Sequence, residues 1–128
     1  MTKLNMLVVE DQAELREMLN QGLSAEYVVR TCDSADEAIA SIVDGDQRFD
    51  IVLTDWKCPG LNDGGRVIAA MRRHRPGTPV IVMTGSHGLE ASIRKNHRPD
   101  GIIVKPFTPD QVLRFLEESI CATQPTPS

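Results

Sequence analysis

The stretch Asp50-Ile51-Val52-Leu53-Thr54-Asp55-Trp56 decides the fold. A short aliphatic run ends on a carboxylate without the polar alternation of a half-solvated strand. That is the form of a strand buried on both faces, as in a parallel sheet. Three further runs share it: Leu4 to Val9 ends at Glu10-Asp11, Val80 to Met83 at Thr84, and Ile102 to Val104 at Lys105. In an open parallel sheet, ligands bind just beyond the carboxyl ends of the strands. Three carboxylates, a hydroxyl and an ammonium are therefore expected on one patch, although more than ninety residues separate the first from the last.

Helical patterns lie between the runs. Leu15, Met18, Leu19, Gly22 and Leu23 form a one-sided stripe, and Tyr27 to Cys32 reads as a further strand. Asp33 or Ser34 caps the next helix, with Glu37 placed to return the bond and Ala38, Ile39 and Ile42 facing inward. Val67, Ile68 and Met71 mark a helix that runs to His74 and stops at Pro76-Gly77. Gly85 to Pro99 holds one short, loosely anchored helix. Thr108 caps a final helix whose first residue is Pro109 and whose inward stripe is Val112, Leu113, Leu116 and Ile120. The result is α/β, a (βα)₅ doubly wound parallel sheet with helices on both faces. One domain is expected over residues 1–121, with 122–128 a disordered tail or the start of a linker.

The bulk numbers agree with a single domain of ordinary composition: 128 residues, 41% hydrophobic and 25% charged. A net charge of −4 argues against direct nucleic-acid binding. No apolar stretch reaches the ~20 residues that span a bilayer, and there is no secretory signal pattern. Cys32, Cys58 and Cys121 lack metal-ligand spacing and read as reduced thiols, so the protein is expected in the cytoplasm.

Glu10, Asp11 and Asp55 at close range repel unless a cation neutralises them, and hard oxygen donors on short side chains suit Mg²⁺. Asp55 is the candidate nucleophile for a phosphoryl group. Lys105 supplies an ammonium and Thr84 a hydroxyl for phosphoryl oxygens, and Gly85 leaves space beside them. Each of these residues alone has an ordinary explanation as a cap, a turn acid or a solvated side chain; the ordered set is specific.

On these residues, together with Pro59, Thr84-Gly85 and Lys105-Pro106-Phe107, the chain from about Leu4 to Ile120 resembles the receiver domain of bacterial response regulators. The resemblance implies a flavodoxin-like fold with strand order 2-1-3-4-5 and Asp55 as phosphoacceptor. It implies Mg²⁺ held by Asp11, Asp55 and the Lys57 backbone carbonyl, with Glu10 acting mainly through water, and Thr84 and Lys105 sensing the phosphoryl group. The donor is a sensor histidine kinase or phosphotransfer protein. The target is a downstream protein or an output domain, and a phosphorylation-dependent dimer is compatible. The switch and partner face is expected to include Ser86, Arg94, Lys95, Ile102 and Phe107. The domain catalyses only its own phosphotransfer and dephosphorylation.

Four positions depart from the family pattern. Glu10 replaces the commoner Asp, Asp55 to Gly64 is one residue longer than usual, Lys57 stands near the site, and Ile102 replaces an aromatic switch residue. The alternative is a pseudo-receiver that binds partners without phosphorylation. An aspartyl phosphohydrolase lacks its general acid, since Lys57 follows Asp55 by two. A flavin carrier lacks a phosphate loop after the first strand. Arg72, Arg73, His74 and Arg75 suit a helix C-terminus by dipole and solvation, and Gln12 to Arg16 borders the site facing a phosphodonor.

Overall fold

The computed structural model describes residues 3–57, 63–85 and 87–123. Five strands, β1 (Leu4–Val9), β2 (Tyr27–Cys32), β3 (Ile51–Asp55), β4 (Val80–Thr84) and β5 (Gly101–Val104), alternate with helices α1 (Ala13–Leu23), α2 (Ala35–Val43), α3 (Asp63–His74), α4 (Glu90–Asn96) and α5 (Pro109–Thr123). The sheet order is β2-β1-β3-β4-β5, every neighbouring pair is parallel, and the fold is flavodoxin-like as expected.

Residues along each strand alternate between two cores. Leu7, Val9, Val52, Val80, Val82 and Ile102 pack under α2, α3 and α4, while Met6, Val8, Ile51, Leu53, Ile81 and Met83 pack under α1 and α5. Burial on both faces is why these strands read as unbroken apolar runs. At α2, Ser34 Oγ accepts from Glu37 N at 3.2 Å, without the expected return bond to the Glu37 side chain. At α5, Thr108 Oγ1 accepts from Gln111 N at 3.2 Å, and Gln111 Oε1 accepts from Thr108 N at 2.8 Å, a reciprocal capping box.

The weak segment contains a three-residue 3₁₀ turn (His87–Leu89) and the seven-residue α4, whose buried anchor is Ile93. Arg98 then takes φ 50° and closes the helix by donating its N–H to Ile93 O at 3.2 Å.

Two arginines read as solvated are structural clamps. Arg72 donates to Arg98 O at 2.8 Å and pairs with Asp100 at 3.1 Å. Arg75 donates to the carbonyls of Ile42, Asp44 and Gln47 and lies over the Phe49 ring at 5.0 Å. These bonds span elements distant in sequence, which helix-dipole reasoning does not detect. The Cys58, Pro59 and Gly60-to-Asn62 readings and residues 124–128 fall outside the described residues, as do the side chains of Ile120 and Cys121. The tail expected from 122 starts no earlier than 124, because α5 runs on to Thr123.

Gly22 lets α1 approach the first turn of α5: an added Cβ would collide with Pro109 Cβ and sit 2.7 Å from its Cγ. Gly22→Ala is therefore expected to destabilise the protein by ~1–3 kcal/mol through overpacking, against a helix-propensity gain of ~1 kcal/mol. Gly77→Ala, whose Cβ meets nothing within 4 Å, is expected to stay within ~0.5 kcal/mol of wild type. Urea-denaturation midpoints distinguish them.

Candidate functional site

The strand register places the polar residues in one layer. Val9 is level with Thr54, Asp55 with Met83, and Thr84 with Val104, so Glu10, Asp55, Thr84 and Lys105 emerge together at the carboxyl edge. A cavity of about 380 Å³ opens there, lined by Asp11, Gln12, Asp55, Trp56, Lys57, Thr84, Gly85 and Lys105.

The acidic group is tight. One carboxylate oxygen from each of Glu10, Asp11 and Asp55 lies within 4.8 Å of the other two. Glu10 is fully buried, Asp55 nearly so, and Asp11 is exposed. Lys105 Nζ donates to Glu10 Oε1 at 3.0 Å and to Asp55 Oδ1 at 3.3 Å. Three carboxylates against one ammonium leave this cluster two negative charges in excess when all are ionised. That set of hard oxygens and that charge fit a small divalent cation.

Burial, and then the negative charge of Glu10, push the Asp55 carboxyl up to about 7, with Lys105 opposing. For Lys105, burial alone would lower its pKa. The hydrogen bond to Glu10 and the charge of Asp55 outweigh it, and the pKa is raised.

Local backbone contacts hold the arrangement. Arg16 Nη1 donates to Glu10 O at 3.0 Å and reaches Asp11 O at 3.4 Å, and Gln12 N donates to Glu10 Oε2 at 3.1 Å. Arg16 therefore reaches back onto the acidic turn. Trp56 N donates to Met83 O at 2.8 Å, and Gly64 N donates to Trp56 O at 2.8 Å. A Cβ at Gly64 would stand 2.9 Å from Asp55 O and 3.0 Å from Trp56 Cα, so only glycine allows α3 to start so close.

The expected switch residues divide. Arg94 and Lys95 are exposed on α4, and Ser86 is outside the described residues. Ile102 is only 4% exposed and packs in the core with Ile93, so it presents nothing to a partner: it is level with Val82, on the buried face of β5. Phe107 is half-buried against the α1/α5 core and lines a groove with Leu15, Met18 and Pro106, on a different surface from α4. Gly85 lines the cavity beside Thr84, and a Cβ there would meet no protein atom within 4 Å. A contact that sequence reasoning missed is Trp56 with His97, ring centroids 4.9 Å apart at 69°, joining the site to the end of α4.

The family model of the response regulator receiver domain matches residues 6–117. Among curated relatives, ResD of Bacillus subtilis, a transcriptional regulatory protein, is 34% identical over 110 residues, covering 84% of this chain and 44% of that protein. TcrA of Mycobacterium tuberculosis is 32% identical over 115 residues, with 88% and 44% covered. The chain thus spans less than half the length of these two relatives. Among solved structures, a CheY-like receiver domain protein from Methanospirillum hungatei JF-1 superposes with TM-score 0.84 at 28% identity, covering 95% of this chain and 97% of that one. CheY4 of Vibrio cholerae superposes with TM-score 0.82 at 29% identity, with 92% and 99% covered.

A carboxyl raised in the fold binds a proton that the unfolded chain has lost, so stability falls as pH rises from the ordinary carboxylate value near ~4 to about 7 and is level above that. In EDTA, Asp55→Asn is therefore expected to gain stability over wild type as pH rises from ~5 to ~7, with the gap constant above. Thermal melts across that range measure it; a gap that shrinks with rising pH contradicts the shift.

Proposed function

Because the chain belongs to the response regulator receiver domain family, we propose that it is a Mg²⁺-dependent phosphoacceptor whose nucleophile is Asp55. The observation that carries this is the convergence of Asp55, Thr84 and Lys105 on one cavity beside three carboxylates. A carboxylate oxygen of Asp55 attacks the phosphorus of a phosphohistidine. The new O–P bond forms as the N–P bond breaks, and the leaving nitrogen keeps the bonding pair. Asp11, Asp55 and the Lys57 carbonyl would hold the cation, with Glu10 acting mainly through water. When bound, the cation screens charge on the transferring group. Lys105 moves its Asp55 bond to a phosphoryl oxygen, and the Thr84 hydroxyl donates to another.

Phosphorylation then shifts α4. That helix is short, has one buried anchor and touches the site through Trp56–His97, features of an element whose population a modification biases. Phosphodonors are sensor histidine kinases or phosphotransfer proteins. The readers are a downstream protein or an output domain, with a phosphorylation-dependent dimer as one mode. The phosphoacceptor domain is residues 1–121, acting in the cytoplasm. It is a signalling domain and turns over no substrate beyond its own phosphoryl group.

Incubation with acetyl phosphate and Mg²⁺ is expected to add one phosphoryl group to the intact mass, with none in EDTA and none in Asp55→Asn. Unmodified wild-type protein, with a cognate phosphodonor also failing, overturns the reading. Modification that survives Asp55→Asn moves the acceptor elsewhere.

A further inference from the structure

Glu10 differs from the other two carboxylates of the cluster. It is fully buried, and it is absent from the lining of the cavity that Asp11 and Asp55 face. Each of its polar atoms has a protein partner. Its N–H donates to Cys32 O at 3.0 Å, and its carbonyl accepts from Arg16 Nη1 at 3.0 Å. Oε2 accepts from Gln12 N at 3.1 Å, and Oε1 accepts from Lys105 Nζ at 3.0 Å. The last bond is shorter than the 3.3 Å bond from Lys105 to Asp55. Glutamate is one methylene longer than aspartate, and here that reach carries the carboxylate to the ammonium.

We propose that Glu10 is a positioning residue for Lys105: it pins the ammonium beside Asp55 and leaves Asp11 and Asp55 to face the cation. The consequence for chemistry rests on the phosphoacceptor reading. Once Asp55 is phosphorylated, its attacking oxygen no longer carries the charge that holds Lys105. The ammonium exchanges that one partner for a phosphoryl oxygen, and Glu10 keeps it in place throughout. Lysine carries its charge on a flexible four-carbon stem, so a fixed second carboxylate removes the search for the incoming group.

The test reads the lysine directly. In metal-free protein, an ammonium ¹H–¹⁵N resonance survives proton exchange only when the group is held by hydrogen bonds; Lys105→Arg assigns it. The Lys105 resonance is expected in wild type, retained in Asp55→Asn and lost in Glu10→Asp, which keeps the charge and shortens the reach. Absence in wild type, retention in Glu10→Asp, or loss in Asp55→Asn overturns the proposal, whether or not the protein accepts a phosphoryl group. The functional arm is a double-mutant cycle at saturating Mg²⁺. Glu10→Asp is expected to slow phosphorylation by acetyl phosphate about tenfold, the scale of one charge-assisted hydrogen bond, and to have no effect in a Lys105→Ala background. An equal slowing in both backgrounds shows that Glu10 does not act through the lysine and overturns the proposal. A wild type that takes up no phosphoryl group from acetyl phosphate or from a cognate phosphodonor fails the phosphoacceptor reading instead, and the resonance test then decides the positioning role alone.

Discussion

Three carboxylates crowded around one ammonium at the carboxyl edge of a buried sheet are the constraint on which the rest depends. Low-dielectric surroundings strengthen both the attraction to Lys105 and the repulsion among Glu10, Asp11 and Asp55. The cluster cannot balance its charge from within. Below about pH 7 a proton on Asp55 relieves part of the excess, and a dication that displaced this proton would balance the whole of it. The same imbalance that makes the apo site unfavourable makes it receptive to a cation and, with the cation in place, to an anionic group.

The scaffold exists to hold that imbalance in place. A slip of one residue in any strand would send its site residue to the wrong side of the sheet, and two cores, one on each face, prevent this. The acidic turn is tied by Arg16 and Gln12, and the backbone beside Asp55 is tied to β4 and to the first turn of α3. The region beyond β4 is built differently. There α4 is a short helix with a single buried residue, and His97 at its C-cap meets Trp56, the residue after Asp55.

Much of this was legible in the sequence because both-face burial writes itself as continuous apolar runs, and the polar residue that ends each run has no place in the core. The helix ends at His74 and Ser34 and the short α4 followed from patterns within a few residues, whereas the strand order came only with the family resemblance. What the sequence did not disclose were contacts made across long separations by side chains with several plausible roles. Arg72 and Arg75 looked like dipole-matched surface charge because their carbonyl partners lie elsewhere in the chain and carry no side-chain signature. Ile102 and Phe107 were grouped by family position. In this chain, strand alternation buries the first, and the turn after Pro106 carries the second to the α1 side.

The measurement that bears most directly on the charge-imbalance account is calorimetric titration of Mg²⁺ near pH 7, repeated in buffers of different ionisation enthalpy. The account predicts one Mg²⁺ per chain, with a fraction of a proton released from Asp55 as the ion binds and no such release in Asp55→Asn. No saturable binding, or binding without proton release that survives Asp55→Asn unchanged, would contradict it.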